Sequence, residues 1–199
     1  MSNVRIQGNA SGTGTLTFQA PNTNTDRTLN IPDNAGTFIT TESESPPKVP
    51  AFKVRLDKAS DSPDYQSISD STWTKHTWDT TDLDTHSWFD MTNNRYTPQQ
   101  AGWYQFSHSI SFEGFNSPAD QGASAFYNAS NWRNLFYVHG ATNQFTACGG
   151  VSIYYMNGST DYMEVWGRGD YDGSPSARGF LGDVDYRNFF AGVLIRSGT

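Results

Sequence analysis

The sequence predicts an all-β protein, on three observations. Its 199 residues include 6 Trp, 10 Tyr, 13 Phe and 18 Gly, with little leucine, a balance that favours strands and turns. Several segments alternate apolar and polar side chains with a period of two, and none sustains the period of a helix. The candidate strands are short, closely spaced and broken by Gly, Asn and Asp, as in a sandwich or jelly roll.

The first elements are minimal. In "GTLTFQAPNTNTDRTLNIPD", Gly14 to Asp33, Thr15-Leu16-Thr17-Phe18 is echoed by Thr28-Leu29-Asn30-Ile31, and Pro21 and Pro32 follow the two copies. Thr37-Phe38-Ile39-Thr40 is a third version, after Gly36. A four-residue strand cannot bury its apolar side chains against its own chain. Leu16, Phe18, Leu29, Ile31 and Phe38 can do so where three copies wrap a shared axis, since oligomerisation is a usual remedy for so small a core. Residues 1–41 are therefore expected to intertwine between copies, as a trimeric segment where the whole chain is a trimer.

Glu42 to Pro50, "ESESPPKVP", carries three prolines and reads as a semi-extended linker. The strand signals then lengthen, and residues 51–199 suffice for one sandwich core. "AFKVRLD" sets Phe52, Val54 and Leu56 against Lys53, Arg55 and Asp57, as a half-buried antiparallel strand does. "GWYQFSHSISF", Gly102 to Phe112, puts Tyr104, Phe106, His108, Ile110 and Phe112 on one face; His108 there reads as a core or interface residue. Further strands are expected in "SAFYNA", "LFYVHG", "GVSIYYM", "DYMEVWG" and "FFAGVLI". Cys148 reads as a small buried strand residue, and a single cysteine excludes an intrachain disulfide framework.

From Phe89 to Phe106, "FDMTNNRYTPQQAGWYQF" resembles the globular heads of the complement-q and tumour-necrosis-factor superfamily, in its Asn93-Asn94, Pro98, Gly102 and Tyr104-Gln105-Phe106. "GVSIYYMNGSTDYMEVW" resembles that family's pair of strands joined by a polar turn, and "NFFAGVLI" its closing strand, with Phe190 and Gly192. The spacer Gln99-Gln100-Ala101 is longer than the family pattern, and no Gly-X-Y repeat occurs in residues 1–50, so the complement-type partners are not carried over. The resemblance implies a ten-stranded jelly-roll head that assembles as a homotrimer, with Tyr104 and Phe106 expected at trimer contacts. Residues 12–41 resemble a second family, a segment of bacteriophage tail-fibre and related structural proteins, in "AP-x-T-N-T-x-R-T-L" followed by "L-x-I-P-D-x-x-G-T". Together the resemblances imply a phage tail-fibre protein located in the virion tail. Residues 1–41 would engage other tail or baseplate proteins, and the head would recognise a host surface glycan or protein. The alternative is a structural virion protein, a decoration or tail-tip component, without receptor binding.

Charge and motifs restrict the chemistry. The net charge is −7, and Arg5, Arg27, Asp26 and Asp33 cancel within residues 1–41, so the excess lies after Thr41. An acidic chain with no Lys/Arg run is a poor ligand for nucleic acid or an anionic membrane. His76, His86, His108 and His139 show no metal-site spacing, and no nucleophile elbow or phosphate loop is present. Asp82/Asp84 and Asp183/Asp185 would each share a strand face but read as solvated loop acids. No enzyme activity, catalytic residue, metal or cofactor is expected. The resemblance implies a head that the chain enters and leaves at its base, and mapping strands by order onto that topology puts three recognition loops at the opposite end, with Phe115 and Asn116 in the first, Asn157 in the second, and Asp185, Tyr186 and Arg187 in the third. A second candidate is the Trp-rich stretch of Trp73, Trp78 and Trp88, for which buried rings are the simpler reading.

Overall fold

The computed structural model describes residues 48–199 apart from 59, 62, 129–130, 141–145, 174–177, 183–186 and 199, together with Ser11, Thr13 and Asn24. The chain divides into two units, Met1–Thr40 and Thr41–Thr199. The expected N-terminal strands and their apolar residues, and residues 42–47 of the expected linker, lie outside the described residues.

The described residues hold thirteen strands. In chain order they are β1 (Ala51–Arg55), β2 (Tyr65–Ser67), β3 (Thr74–Lys75), β4 (Thr80–Asp84), β5 (Phe89–Asp90), β6 (Arg95–Tyr96) and β7 (Gly102–Glu113). Then follow β8 (Gln121–Asn128), β9 (Asn131–His139), β10 (Thr146–Met156), β11 (Met163–Asp170), β12 (Gly179–Leu181) and β13 (Phe189–Ser197). Every pairing is antiparallel. Thirteen exceeds the expected ten; five of the strands (β2, β3, β5, β6, β12) are only two or three residues long, and the other eight have five or more.

One sheet, A, is built around β7. Along one edge β7 pairs with β10 from Gly102 to Phe112. Along the other it pairs first with β13 and then with β12. Beyond β13 come β1 and β4, and beyond β12 comes β2. The second sheet, B, runs β5-β6-β11-β8-β9, with β3 beside β11. The all-β jelly-roll expectation holds.

Alternation decides what the sandwich encloses. From sheet A come Phe52, Val54, Tyr104, Phe106, Ile110, Phe112 and Phe190, all 2% exposed or less. From sheet B, Phe126, Met163, Val165 and Tyr96 meet them. Phe52 stacks on Tyr96 at 4.1 Å and meets Phe89 at 5.3 Å, so the sheets are joined by ring contacts. Each buried ring contributes roughly 1.5–3 kcal/mol of transfer free energy. Gly192 faces these rings: a Cβ there would lie 2.5 Å from Phe52 and 2.8 Å from Phe106. Cys148 is buried, which raises its thiol pKa to about 11 and leaves it without thiolate character at neutral pH.

Two histidines sit inside this core. His108 is 3% exposed, with Nε2 2.7 Å from Ser124 Oγ and its ring edge-on to Phe126 at 4.6 Å. His76 is fully buried between Trp78, at 4.0 Å, and Phe180, at 4.9 Å, and its Nδ1 lies 2.8 Å from Thr77 O. Burial pushes both imidazoles down to about 3. Because folded values lie below the unfolded 6.5, the unfolded chain binds more protons between these limits. Stability is therefore fully present above about pH 6.5 and falls as the pH drops toward 3. The expected slope is up to about 1.4 kcal/mol per pH unit for each histidine. Urea midpoints at pH 7, 6 and 5 check this, and His108→Asn should reduce the slope.

Candidate functional site

The strand registers define two ends of the head. Ala51 pairs with Val193, and Ser197 with Gly102, so the chain enters and leaves at the Gly102 end, the base. At the distal end lie the β7–β8 loop, Gly140 after β9, residues 171–173 after β11, and Asn188 before β13.

Two buried polar side chains hold the distal end. Asp120, fully buried, accepts hydrogen bonds at Oδ2 from Asn116 N (2.7 Å) and Ser117 N (2.9 Å), and at Oδ1 from Asp172 N. It thereby ties the β7–β8 loop to the β11–β12 loop. Asn188, also fully buried, accepts from Ser111 N at 2.6 Å and fixes the approach to β13.

The expected recognition residues do not all converge there. Asn116 is exposed at the distal end and Arg187 is half-buried beside Asn188, while Asp185 and Tyr186 lie outside the described residues. Phe115 is only 6% exposed, stacked on Phe112 at 4.8 Å and against Tyr171 at 4.9 Å, so its ring belongs to the core. Asn157 is at the base. Three hairpin reversals after β7 bring β10 back down, with Thr146 opposite Phe112 and Met156 opposite Gly102. Asn157 Oδ1 accepts from Ser159, Thr160 and Asp161 N, a local turn that Gly158 completes at φ 73°. The base also has an open cleft of about 610 Å³ between Trp88 and this turn. Its carboxylate, Asp90, is already engaged by Thr92 N and Asn93 N and Nδ2.

The trimer-contact expectation for the head is also corrected. Tyr104 and Phe106 are fully buried within one chain. The outward residues of β7 are their neighbours Trp103, Gln105 and Ser107. Cross-strand from them on β10 stand Tyr155, Ile153 and Val151, 47%, 52% and 57% exposed. Val193 lies opposite Gln105 on the other side. The centre of the face carries small residues, Ser107, Ser109, Ala191 and Gly149. The β7–β10 part of this outer face is thus apolar, where a solvated face would be polar, while Lys53, Arg55 and Asp82 form a charged network on its β1–β4 side.

Of the Trp-rich stretch, Trp78 is buried on His76, Trp88 is half-exposed beside His86, and Trp73 reaches the outer face of sheet B. There it meets Trp132 at 4.8 Å. Arg168, Gly169 and Asp170 end β11, where Arg168 and Asp170 pair at 2.8 Å. Asp82 is bound to Lys53 (2.8 Å) and Arg55 (2.9 Å), which lowers its pKa, and Asp84 accepts the amides of His86, Trp88 and Phe89. Among the described residues no three His, Cys, Asp or Glu side chains converge as a metal site.

No protein-family model and no curated protein sequence matches the chain. Solved structures share its fold. The globular domain of a zebrafish complement 1qA protein matches at 16% identity and TM-score 0.51, over 76% of this chain and all of that one. Murine APRIL at pH 5.0 matches at 10% identity and TM-score 0.52, over 74% of this chain and all of its own. An Eiger TNF from S. frugiperda matches at 10% identity and TM-score 0.54, over 76% of this chain and 95% of its own. The head is therefore a complement-q/TNF-like jelly roll.

Asp120→Ala leaves three buried or half-buried amides without their acceptor, at an expected cost of roughly 1–3 kcal/mol. Faster amide hydrogen exchange at Asn116, Ser117 and Asp172, with protection in β7 unchanged, would mark the loss as confined to the distal loops.

Proposed function

We propose that this chain is a homotrimeric receptor-binding protein of a bacteriophage tail fibre. Residues 1–41 attach it to a tail or baseplate protein of the virion, and the jelly-roll head recognises the bacterial surface. The observation that carries the assembly is the apolar part of the outer face of sheet A. Soluble monomers rarely expose contiguous apolar patches above a few hundred Å². Trp103, Val151, Ile153, Tyr155, Val193 and Ile195 stand together there, each at least 37% exposed. Copies that turn this face toward a shared axis bury it, and the small central residues let the faces approach.

The attachment role rests on the resemblance of residues 12–41 to a segment of tail-fibre proteins. Three heads on one fibre bind a repetitive surface with avidity, so each site needs only modest affinity.

Sedimentation of the full chain at micromolar concentration should give a trimer. Ile153→Asp buries a charge in the interface and should shift the species to monomer while retaining β-type circular dichroism; a wild-type monomer sinks the assembly. Fluorescent full-length protein should bind at least one strain of a panel of Gram-negative and Gram-positive bacteria. Incorporation into virions without binding to any strain would favour a decoration role.

A further inference from the structure

The solvent face of an antiparallel sheet normally carries polar side chains in alternation. Sheet B departs from this. Tyr127 on β8, Trp132 on β9 and Trp166 on β11 stand on its outer face, and Trp73, which precedes β3, joins them. Trp73 and Trp132 approach to 4.8 Å although β11 and β8 separate the strands beside them. Tyr127 lies 5.0 Å from Trp132 and 5.6 Å from Trp166, and the two indoles Trp132 and Trp166 lie 5.6 Å apart. The four rings form one continuous platform over Ala125, which is fully buried. None of the four is itself buried, and Trp132 is 43% exposed. Core packing does not account for them.

A second observation concerns what holds Trp166 in place. Glu164, 4% exposed, accepts Trp166 Nε1–H at Oε2 (2.8 Å) and pairs with Lys75 Nζ at Oε1 (3.1 Å). Lys75 also donates to Asn93 O at 3.1 Å. Burying a carboxylate on a sheet surface is unfavourable unless it is paired. Here the pair sets the orientation of a half-exposed indole. Rings fixed in this way lose little freedom when a ligand settles on them.

The platform's chemistry selects its occupant. It is flat and aromatic, with Lys75, Arg168 and Asp170 on the same face, and suits a ligand with an apolar face and hydroxyls at its edge. Pyranose rings have that shape. The charge of −7, all after Thr41, repels polyanions. We propose that Trp73, Tyr127, Trp132 and Trp166 bind a neutral, pyranose-containing surface polysaccharide. The proposal rests on the receptor-binding reading and moves the principal contact from the distal loops to the flank of the head. With sheet A turned to the other copies, this face points outward.

The full-length protein is titrated with maltohexaose, cellohexaose, mannohexaose and galactohexaose, and with a hyaluronan hexasaccharide as the anionic comparison. Tryptophan emission and calorimetry are the readouts. At least one neutral oligosaccharide should bind and shift the emission. Trp132→Ala should weaken it tenfold or more and Trp132→Phe less, with the trimer and its melting temperature retained. Should Trp132→Ala fail to fold, Trp73→Ala makes the same comparison. Binding of none of the neutral set, binding of hyaluronan alone, or equal affinity in the alanine variant overturns the platform. The bacterial panel separates the two readings. Unchanged cell binding by Trp132→Ala overturns the platform and leaves the receptor role standing. Absence of cell binding by the wild type overturns the receptor role, while the oligosaccharide titration still decides the platform.

Discussion

The head depends on the two-residue alternation of β7. This strand pairs with β10 on one side and with β13 and β12 on the other, so its phase is imposed on most of sheet A. Its inward set, Tyr104, Phe106, His108, Ile110 and Phe112, forms one wall of the core. A slip of one residue would exchange that wall with Trp103, Gln105, Ser107, Ser109 and Ser111, leaving the rings of sheet B without partners. Register here is strongly specified because the two faces differ so much. The aromatic core also constrains its neighbours: Gly192 and Gly167 face Phe106 and Phe180, respectively, at distances that a Cβ would violate.

The same alternation makes two unlike outer faces. Sheet A shows aliphatic and aromatic side chains around a small-residue centre. Sheet B shows an aromatic platform with the Glu164–Lys75 ion pair, buried at Glu164 and half-exposed at Lys75, beside it. Neither arrangement serves the stability of an isolated chain. Exposed Val151 and Ile153 contribute little to folding, and the Glu164–Lys75 pair gives back much of its attraction as desolvation. Features that an isolated fold does not need are where contacts with other molecules are sought.

Much of the fold was legible in the sequence because the long strands carry their own pattern. "GWYQFSHSISF", "GVSIYYM" and "FFAGVLI" lie within β7, β10 and β13. The two- and three-residue strands were not legible, because their pairing is decided by neighbours far along the chain: β12 exists through β2 and β7. Alternation also shows that a strand has two faces without saying which one its own chain covers. Tyr104 and Phe106 were therefore expected at a subunit contact, when their neighbour Trp103 is the exposed one. Phe115 reads as a loop aromatic, yet Phe112 and Tyr171 enclose it. Asn157 required counting reversals: an odd number of strands after β7 returns the chain to the base. The platform on sheet B was hidden because its rings come from four separate segments. Its nearest local signal is the outward Glu164-x-Trp166-x-Arg168 alternation in β11.

The two faces support each other in the proposed assembly. A sandwich has only two broad surfaces, so committing sheet A to the neighbouring copies leaves sheet B as the broad surface that faces outward. At the distal end both carboxylate oxygens of Asp120 and the Oδ1 of Asn188 are engaged by backbone amides, and Phe115 is turned inward. The flank offers preformed aromatic area, repeated three times around the axis and ordered before any ligand arrives. Modest affinity at each platform, multiplied by simultaneous engagement, suits a repetitive polymer better than a single deep pocket would.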